Sequence, residues 1–138
     1  MVTESWLASS TTNGLLDPEN PFFIFRYDRP FRNGGGACVF VKRTLEVLNI
    51  EIVRNDNNAH IESKIVCIDN SINTGKYRPI TVYRPPCCTM DGIEYNTVLI
   101  SNLELLFDVN YSVVLSGDLN CADVNWINNT SPRTVYRT

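Results

Sequence analysis

The segment Gly117-Asp118-Leu119-Asn120 follows directly on the apolar run Ser112-Val113-Val114-Leu115-Ser116. A buried strand delivers its C-terminal residues to the edge of a sheet, where α/β proteins place their sites. In extended geometry Asp118 and Asn120 project to the same face. A carboxylate beside a carboxamide suits a hard cation and a phosphate ester. The carboxylate can bind Mg²⁺ or take a proton from water, and the amide can donate to a phosphoryl oxygen. The same four residues also read as a plain turn, since Gly, Asp and Asn are turn formers. A second candidate is Tyr83-Arg84-Pro85-Pro86. A tyrosine there can hydrogen-bond a phosphate oxygen and an arginine can grip one; the plainer reading is an aromatic strand residue before a proline turn. The third is Thr3-Glu4-Ser5-Trp6-Leu7, where Glu4 reads as a metal ligand, as a solvated charge or as a helix N-terminal residue.

The elements that must position these residues are legible as hydrophobic patterns. Strands are expected over 22–27, 38–41, 49–53, 61–68, 80–83 and 112–116, the fifth ending where Pro85 and Pro86 bar a continued ladder. Residues 11–20, 28–36, 55–59 and 70–75 read as loops and turns. One long helix is expected over 91–110, capped by Asp91, with Ile93, Leu99, Leu103, Leu106 and Phe107 forming an apolar stripe against a sheet. Several strands, a helix and a further buried strand make an α/β or α+β layered pattern. No internal repeat and no linker divides the chain, so residues 1–138 are read as a single, partial domain. The pattern dissolves after Trp126, with no closing element.

The bulk numbers narrow the class. A length of 138 residues, 43% hydrophobic and 20% charged, fits one soluble globular domain or part of one. No apolar run reaches the roughly 18 residues of a membrane helix, and the N-terminus has no signal-peptide pattern. Cys38, Cys67, Cys87, Cys88 and Cys121 show no CxxC spacing and read as reduced thiols of an intracellular protein. A net charge of −3 gives no general case for nucleic acid. Between Arg26 and Arg43, however, Arg26, Arg29, Arg32, Lys42 and Arg43 face a single acid, Asp28. That stretch is either a phosphate-contacting face or a solvated surface.

Taken together and in order, Thr3-Glu4-Ser5-Trp6-Leu7, Tyr27-Asp28-Arg29 with Gly34-Gly35-Gly36, His60-Ile61-Glu62, Val82-Tyr83-Arg84-Pro85-Pro86 and Gly117-Asp118-Leu119-Asn120 with Trp126 resemble the endonuclease domains of LINE-type and jockey-like non-LTR retrotransposons. Those domains belong to the endonuclease/exonuclease/phosphatase superfamily, with the apurinic endonucleases. The resemblance implies a four-layered α/β sandwich, incomplete in this chain, and Mg²⁺- or Mn²⁺-dependent hydrolysis of DNA phosphodiesters. It implies Glu4 as metal ligand, Tyr83 as a contact to the scissile phosphate, Asp118 as the residue that orients or deprotonates water, and Asn120 as holder of a phosphate oxygen. Arg84 and Arg29 are carried as substrate-binding candidates, Arg29 alternatively pairing near Asp28. Glu62, His60 and the glycine run read as structural. Leu119 stands where the family has phenylalanine, at a position facing away from the catalytic pair.

The family pattern also has an upstream strand bearing an asparagine and a terminal Ser-Asp-His segment, and neither is found in these 138 residues. Little or no activity is therefore expected of the chain alone. The implied partners are DNA and a reverse transcriptase domain in a longer polyprotein, with no membrane, and the implied location is intracellular, in the nucleus when active. The alternatives are a phosphatase of the same superfamily and a non-catalytic, nucleic-acid-binding remnant.

Overall fold

The computed structural model describes residues 1–3, 5–28, 35–53, 64–73, 75–86, 92–120 and 127–128, residues 92–95 by their backbone alone. Their elements run β1 (Val2–Thr3), α1 (Asn13–Leu16), β2 (Phe22–Tyr27), β3 (Ala37–Lys42), β4 (Glu46–Val53), β5 (Lys64–Ile72), β6 (Gly75–Tyr83), α2 (Gly92–Phe107) and β7 (Ser112–Asp118). They form a three-stranded sheet in the order β1-β3-β2 and a four-stranded sheet in the order β4-β5-β6-β7. All pairings are antiparallel except β6 with β7, which run parallel and are joined through α2.

Two apolar layers follow from the period-2 alternation of the strands. Ile65 and Cys67 of β5 and Ile80 and Val82 of β6 point to one side, where they meet Leu99 and Leu106 of α2. Val66 and Ile68 of β5 point to the other side and pack with Ala37, Val39 and Val41 of β3. β5 is thus covered on both faces, and its residues 64–70 are all buried. A strand enclosed in this way reads as a continuous apolar run. Ile65, Val66, Ile68, Ile80 and Val82 are each fully enclosed, and each contributes about 1.5–3 kcal/mol of burial. The result is a mixed α/β sandwich with a helix on the outer face of the larger sheet.

Several elements extend past their sequence-based limits. β5 continues past Ile68, the expected end of the strand, through Asp69 and into residues 70–72, expected as a turn, because Asp69 has a buried partner. Arg78 Nε and Nη2 donate to its two carboxylate oxygens at 2.6 and 2.7 Å. The same guanidinium donates through Nη1 to the Leu106 carbonyl at 3.0 Å, which satisfies an open carbonyl at the end of α2. In the β5–β6 hairpin Ile72 therefore stands opposite Gly75, with Asn73 at φ +56°. β1 was not foreseen: two residues long, it forms by pairing with β3. Residues 13–16, expected in a loop, form the short α1. Phe107, assigned to the apolar stripe of α2, is exposed, whereas Leu99 and Leu106 are buried. β7, expected to be buried, is an edge strand with Val114 and Leu115 exposed. Asp91, Ile93 and residues 55–59 and 61–63 lie outside what the structure describes of side chains or backbone.

Candidate functional site

Strand register brings the separated motifs to one edge. Tyr83, the last residue of β6, is the partner of Asp118, the last residue of β7. On the other side of β6, Tyr83 is the partner of Lys64, the first residue of β5. Side chains of register partners share a face, so Lys64, Tyr83 and Asp118 form a row on the face turned towards the smaller sheet. The Lys64 Nζ lies 4.1 Å from the centroid of the Tyr27 ring on β2, which ties that row across the gap. In the smaller sheet Thr3, Ala37 and Tyr27 are aligned at the corresponding end. β1 packs against β6 and β7, and the Ser116 hydroxyl donates to Met1 Sδ at 3.2 Å.

The turn after β7 is built by hydrogen bonds among the candidate residues themselves. The Asn120 N–H donates to Asp118 Oδ1 at 3.0 Å, the pattern of an Asx turn. Asn120 has φ +45°, a left-handed conformation that asparagine tolerates. Asp118 and Asn120 are therefore not two residues of one extended strand; the turn folds Asn120 back to meet Arg84. Its Nδ2 donates to the Arg84 carbonyl at 2.6 Å, and the Arg84 N–H donates to the Asp118 carbonyl at 2.8 Å. Of the two readings of Gly117-Asp118-Leu119-Asn120, the turn is the one this geometry shows.

Arg84 is buried, and its guanidinium is directed into this turn. Nη1 donates to the carbonyls of Leu119 and Asn120, both at 3.1 Å, and Nε donates to Asn96 Oδ1 of α2 at 3.3 Å. These contacts fix the turn to β6 and to the helix. Gly117 is equally constrained. At φ +153° it sits so close to β6 that a Cβ would lie 1.8 Å from the Val82 carbonyl oxygen. A glycine before the aspartate is the sequence signal for this approach, and nothing in the patterning identified it. Lys64, the first residue of β5, carries no motif and was not among the residues singled out from the sequence.

Two residues of the basic stretch, Arg26 and Arg43, are engaged in the fold. Arg26 pairs with Asp28 at 3.0 Å. Burial pushes the Asp28 carboxyl above its ordinary value, and the Arg26 charge opposes that rise. Arg43 donates to the Asn20 carbonyl and side chain at 2.8 and 2.6 Å and stacks over Phe23 at 4.3 Å. A cleft of about 450 Å³ lined by Asn13, Phe22, Phe23 and Arg43 lies at the opposite end of β2 from Tyr27. Gly36, at φ +91°, approaches Ser5 so closely that a Cβ would stand 2.7 Å from its Oγ. Burial raises the thiols of Cys38 and Cys67 to about 11. Glu4, Arg29, His60, Glu62 and Trp126 lie outside the described residues. Among the described residues no three His, Cys, Asp or Glu side chains cluster as a metal site.

No family model and no curated protein sequence matches the chain. Solved structures do resemble it in fold. The TDP2 of D. rerio (tyrosyl-DNA phosphodiesterase 2), crystallised with a single-stranded DNA product, superposes with a TM-score of 0.64 at 13% identity, over 95% of this chain and 51% of that one. C. elegans TDP2 gives 0.62 at 12% identity, over 94% of this chain and 39% of that one. These proteins have the endonuclease/exonuclease/phosphatase fold, and the two-sheet α/β arrangement of this chain is of that type. The chain spans about half the length of the D. rerio structure. No helix among the described residues is long and apolar enough to cross a membrane.

Proposed function

We propose that this chain carries the phosphate-handling edge of a divalent-metal-dependent DNA phosphodiester hydrolase, and that this hydrolase is the nicking endonuclease of a LINE-type retrotransposon. The observation that carries the reading is the pairing of Tyr83 with Asp118 at the C-terminal ends of two parallel strands, with Asn120 folded back beside them. Parallel strand ends are where α/β sheets expose their chemistry. The likeness to a fold solved with a DNA product supports DNA as the substrate class. The wording of Glu4-Ser5-Trp6-Leu7 and Tyr83-Arg84-Pro85-Pro86 supports the retrotransposon assignment, and with it a reverse transcriptase domain in the same polyprotein and a nuclear site of action.

In this reading Asp118 receives the Asn120 N–H on Oδ1 and uses its other oxygen to orient the attacking water. Asn120 spends one Nδ2 hydrogen on the Arg84 carbonyl and has the second for a phosphoryl oxygen. Tyr83 is 3% exposed, and its phenol is the phosphate contact of this reading. Arg84 holds the turn, and Arg29 supplies a further phosphate contact. The oxygen donors at this edge fit a hard cation, since Mg²⁺ is commonly held by one or two carboxylates plus water and phosphate. Asp118 and Glu4 would hold it, and when bound it would stabilise charge developing on the phosphate.

Binding of a fluorescein-labelled single-stranded oligonucleotide, measured in Mg²⁺ and in EDTA, tests the reading. Affinity is expected to rise about tenfold or more in Mg²⁺ and to lose that rise in Asp118→Ala. Oligonucleotide binding indifferent to both Mg²⁺ and Asp118 would sink it. Nicking of supercoiled plasmid, abolished in Asp118→Ala, would place the activity in the chain itself. Release of phosphate from inositol phosphates without nicking would favour a phosphatase.

A further inference from the structure

Arg43 ends the basic stretch, and the proposed hydrolase gives it no role. It is exposed, yet it is held in one geometry. Asn20, at φ +59°, accepts from Arg43 Nε on its backbone carbonyl at 2.8 Å and from Nη2 on its side-chain oxygen at 2.6 Å. The guanidinium lies 4.3 Å from the centroid of the Phe23 ring. Two hydrogen bonds and a ring face thus fix a side chain that otherwise loses much rotamer freedom when it binds. Nη1 has no hydrogen-bond partner among the described residues, and no carboxylate among them pairs with this charge. A guanidinium fixed in this way, with donors unspent, is ready to take an oxyanion.

The cleft beside it completes the outline of a ligand. Its volume of about 450 Å³ is that of a small-molecule site, roughly 300–1,000 Å³. Phe22, Phe23 and Phe25 line it, each only half-buried, on the outer strand of the smaller sheet. Asp17 lines it as well. Its Oδ2 accepts the Phe22 N–H at 2.9 Å, and its Oδ1 has no partner among the described residues. A fitting ligand therefore has a flat apolar body, an N–H donor for the carboxylate and an anionic end for Arg43. Inorganic phosphate would leave the rings bare, and a hydrocarbon would leave both charges unmet. A nucleotide has all three parts: a base with a π-face, N–H groups on the edge of that base, and a phosphate.

We propose that this cleft is a nucleotide-binding subsite, with the base seated among the Phe22, Phe23 and Phe25 rings and the phosphate on Arg43. It is separate from the phosphodiester edge and stands without it. The six residues of β2 put about 17 Å between Phe22 and Tyr27. A free nucleotide and a nucleotide within a single strand offer the same chemistry here.

The test uses two photoreactive probes in EDTA: 5-iodo-2′-deoxyuridine 5′-monophosphate, and a thymidine decanucleotide carrying one 5-iodouracil. Iodouracil couples under light to aromatic rings against which it stacks, and peptide sequencing by mass spectrometry assigns the residue. Adducts are expected on Phe22, Phe23 or Phe25, saturating with probe concentration. Saturable adducts from the mononucleotide identify a free nucleotide as ligand; adducts from the decanucleotide alone identify a strand. Arg43→Gln, whose amide can still donate to Asn20, is expected to raise the half-saturating concentration about tenfold or more. Arg43→Lys is expected to recover part of that loss, and Asp118→Ala to leave these adducts in place. Absence of adducts on the three phenylalanines with both probes overturns the proposal, as does labelling that never saturates. Unchanged saturation in an Arg43→Gln variant that unfolds at the wild-type temperature also overturns it. If that variant does not fold, the wild-type adduct map decides alone.

Discussion

Replacing Gly117 by alanine is the most informative single perturbation of this edge. The added Cβ would stand 1.8 Å from the Val82 carbonyl oxygen, against the 3.0 Å below which real Cβ contacts are essentially unknown, so β7 must retreat by 3.0 − 1.8 = 1.2 Å or more. That retreat breaks the β6–β7 ladder where Val82 faces Gly117, one residue before Tyr83 faces Asp118. Losing two ladder hydrogen bonds costs about 1 kcal/mol each. A residue with a side chain at φ +153° adds about 1–3 kcal/mol of backbone strain. Reduced entropy of the unfolded chain returns about 0.4–1 kcal/mol. The net loss is about 3 kcal/mol, which for a chain of this size lowers Tm by roughly 10 °C. Differential scanning fluorimetry with urea unfolding measures it. A Tm within about 2 °C of wild type would show that β7 yields freely at this point, and the close approach would not be a constraint.

Three further outcomes are expected. Arg78→Met strands the buried Asp69 carboxylate and should cost about 3–5 kcal/mol, whereas the double variant Asp69→Leu/Arg78→Met should recover much of that loss in urea unfolding; equal losses in both would refute the pairing argument. Cys38 and Cys67, buried with thiols raised to about 11, should resist iodoacetamide at pH 8 in the native protein and react once it is unfolded, as read by peptide mass mapping. Burial raises the folded-state pKa of Asp28 above its ordinary 3.8. The native state therefore holds that proton more tightly than the unfolded chain. This contribution is fully present below 3.8 and is lost as pH rises through the folded value. Asp28→Asn should flatten the stability profile in that window, and an unchanged profile would refute the assignment.

Much of the fold was legible because enclosure on both faces writes itself as apolar runs. β2, β3, β6 and β7 contain the segments expected as strands, and α2 falls within the segment expected as a helix. The errors have identifiable causes. The expected strand stopped at Ile68 and Asn70 read as a turn residue because a local pattern cannot see Arg78, whose guanidinium makes a buried aspartate tolerable within β5. β1 is too short to leave a periodic trace and exists by virtue of β3. The candidate site was partly legible. Tyr83 and Asp118 could be named from motif order, but their register partnership is a property of the crossover through α2. Arg84 was legible as a cation and not as the clamp of a turn, because its acceptors are backbone carbonyls that carry no sequence signal. Glu4 and Arg29 fall outside the described residues and remain expectations from the motifs.

The parallel pairing of β6 and β7 also sets an order of events in time. β5 and β6 are consecutive antiparallel strands with Ile72 opposite Gly75 and can zip together on the microsecond scale of a hairpin. β7 can join only after the chain has travelled from Arg84 through α2 to Tyr111 and closed that long loop. The Lys64–Tyr83 neighbourhood thus forms early, whereas Asp118 reaches its place at a late step. Run in reverse, the same asymmetry makes β7 the natural first strand to open in native-state hydrogen exchange. A phosphate ester held between Tyr83 and Asp118 would close that opening. Occupancy should therefore be visible as slowed amide exchange along β7 before any change reaches the β5–β6 hairpin.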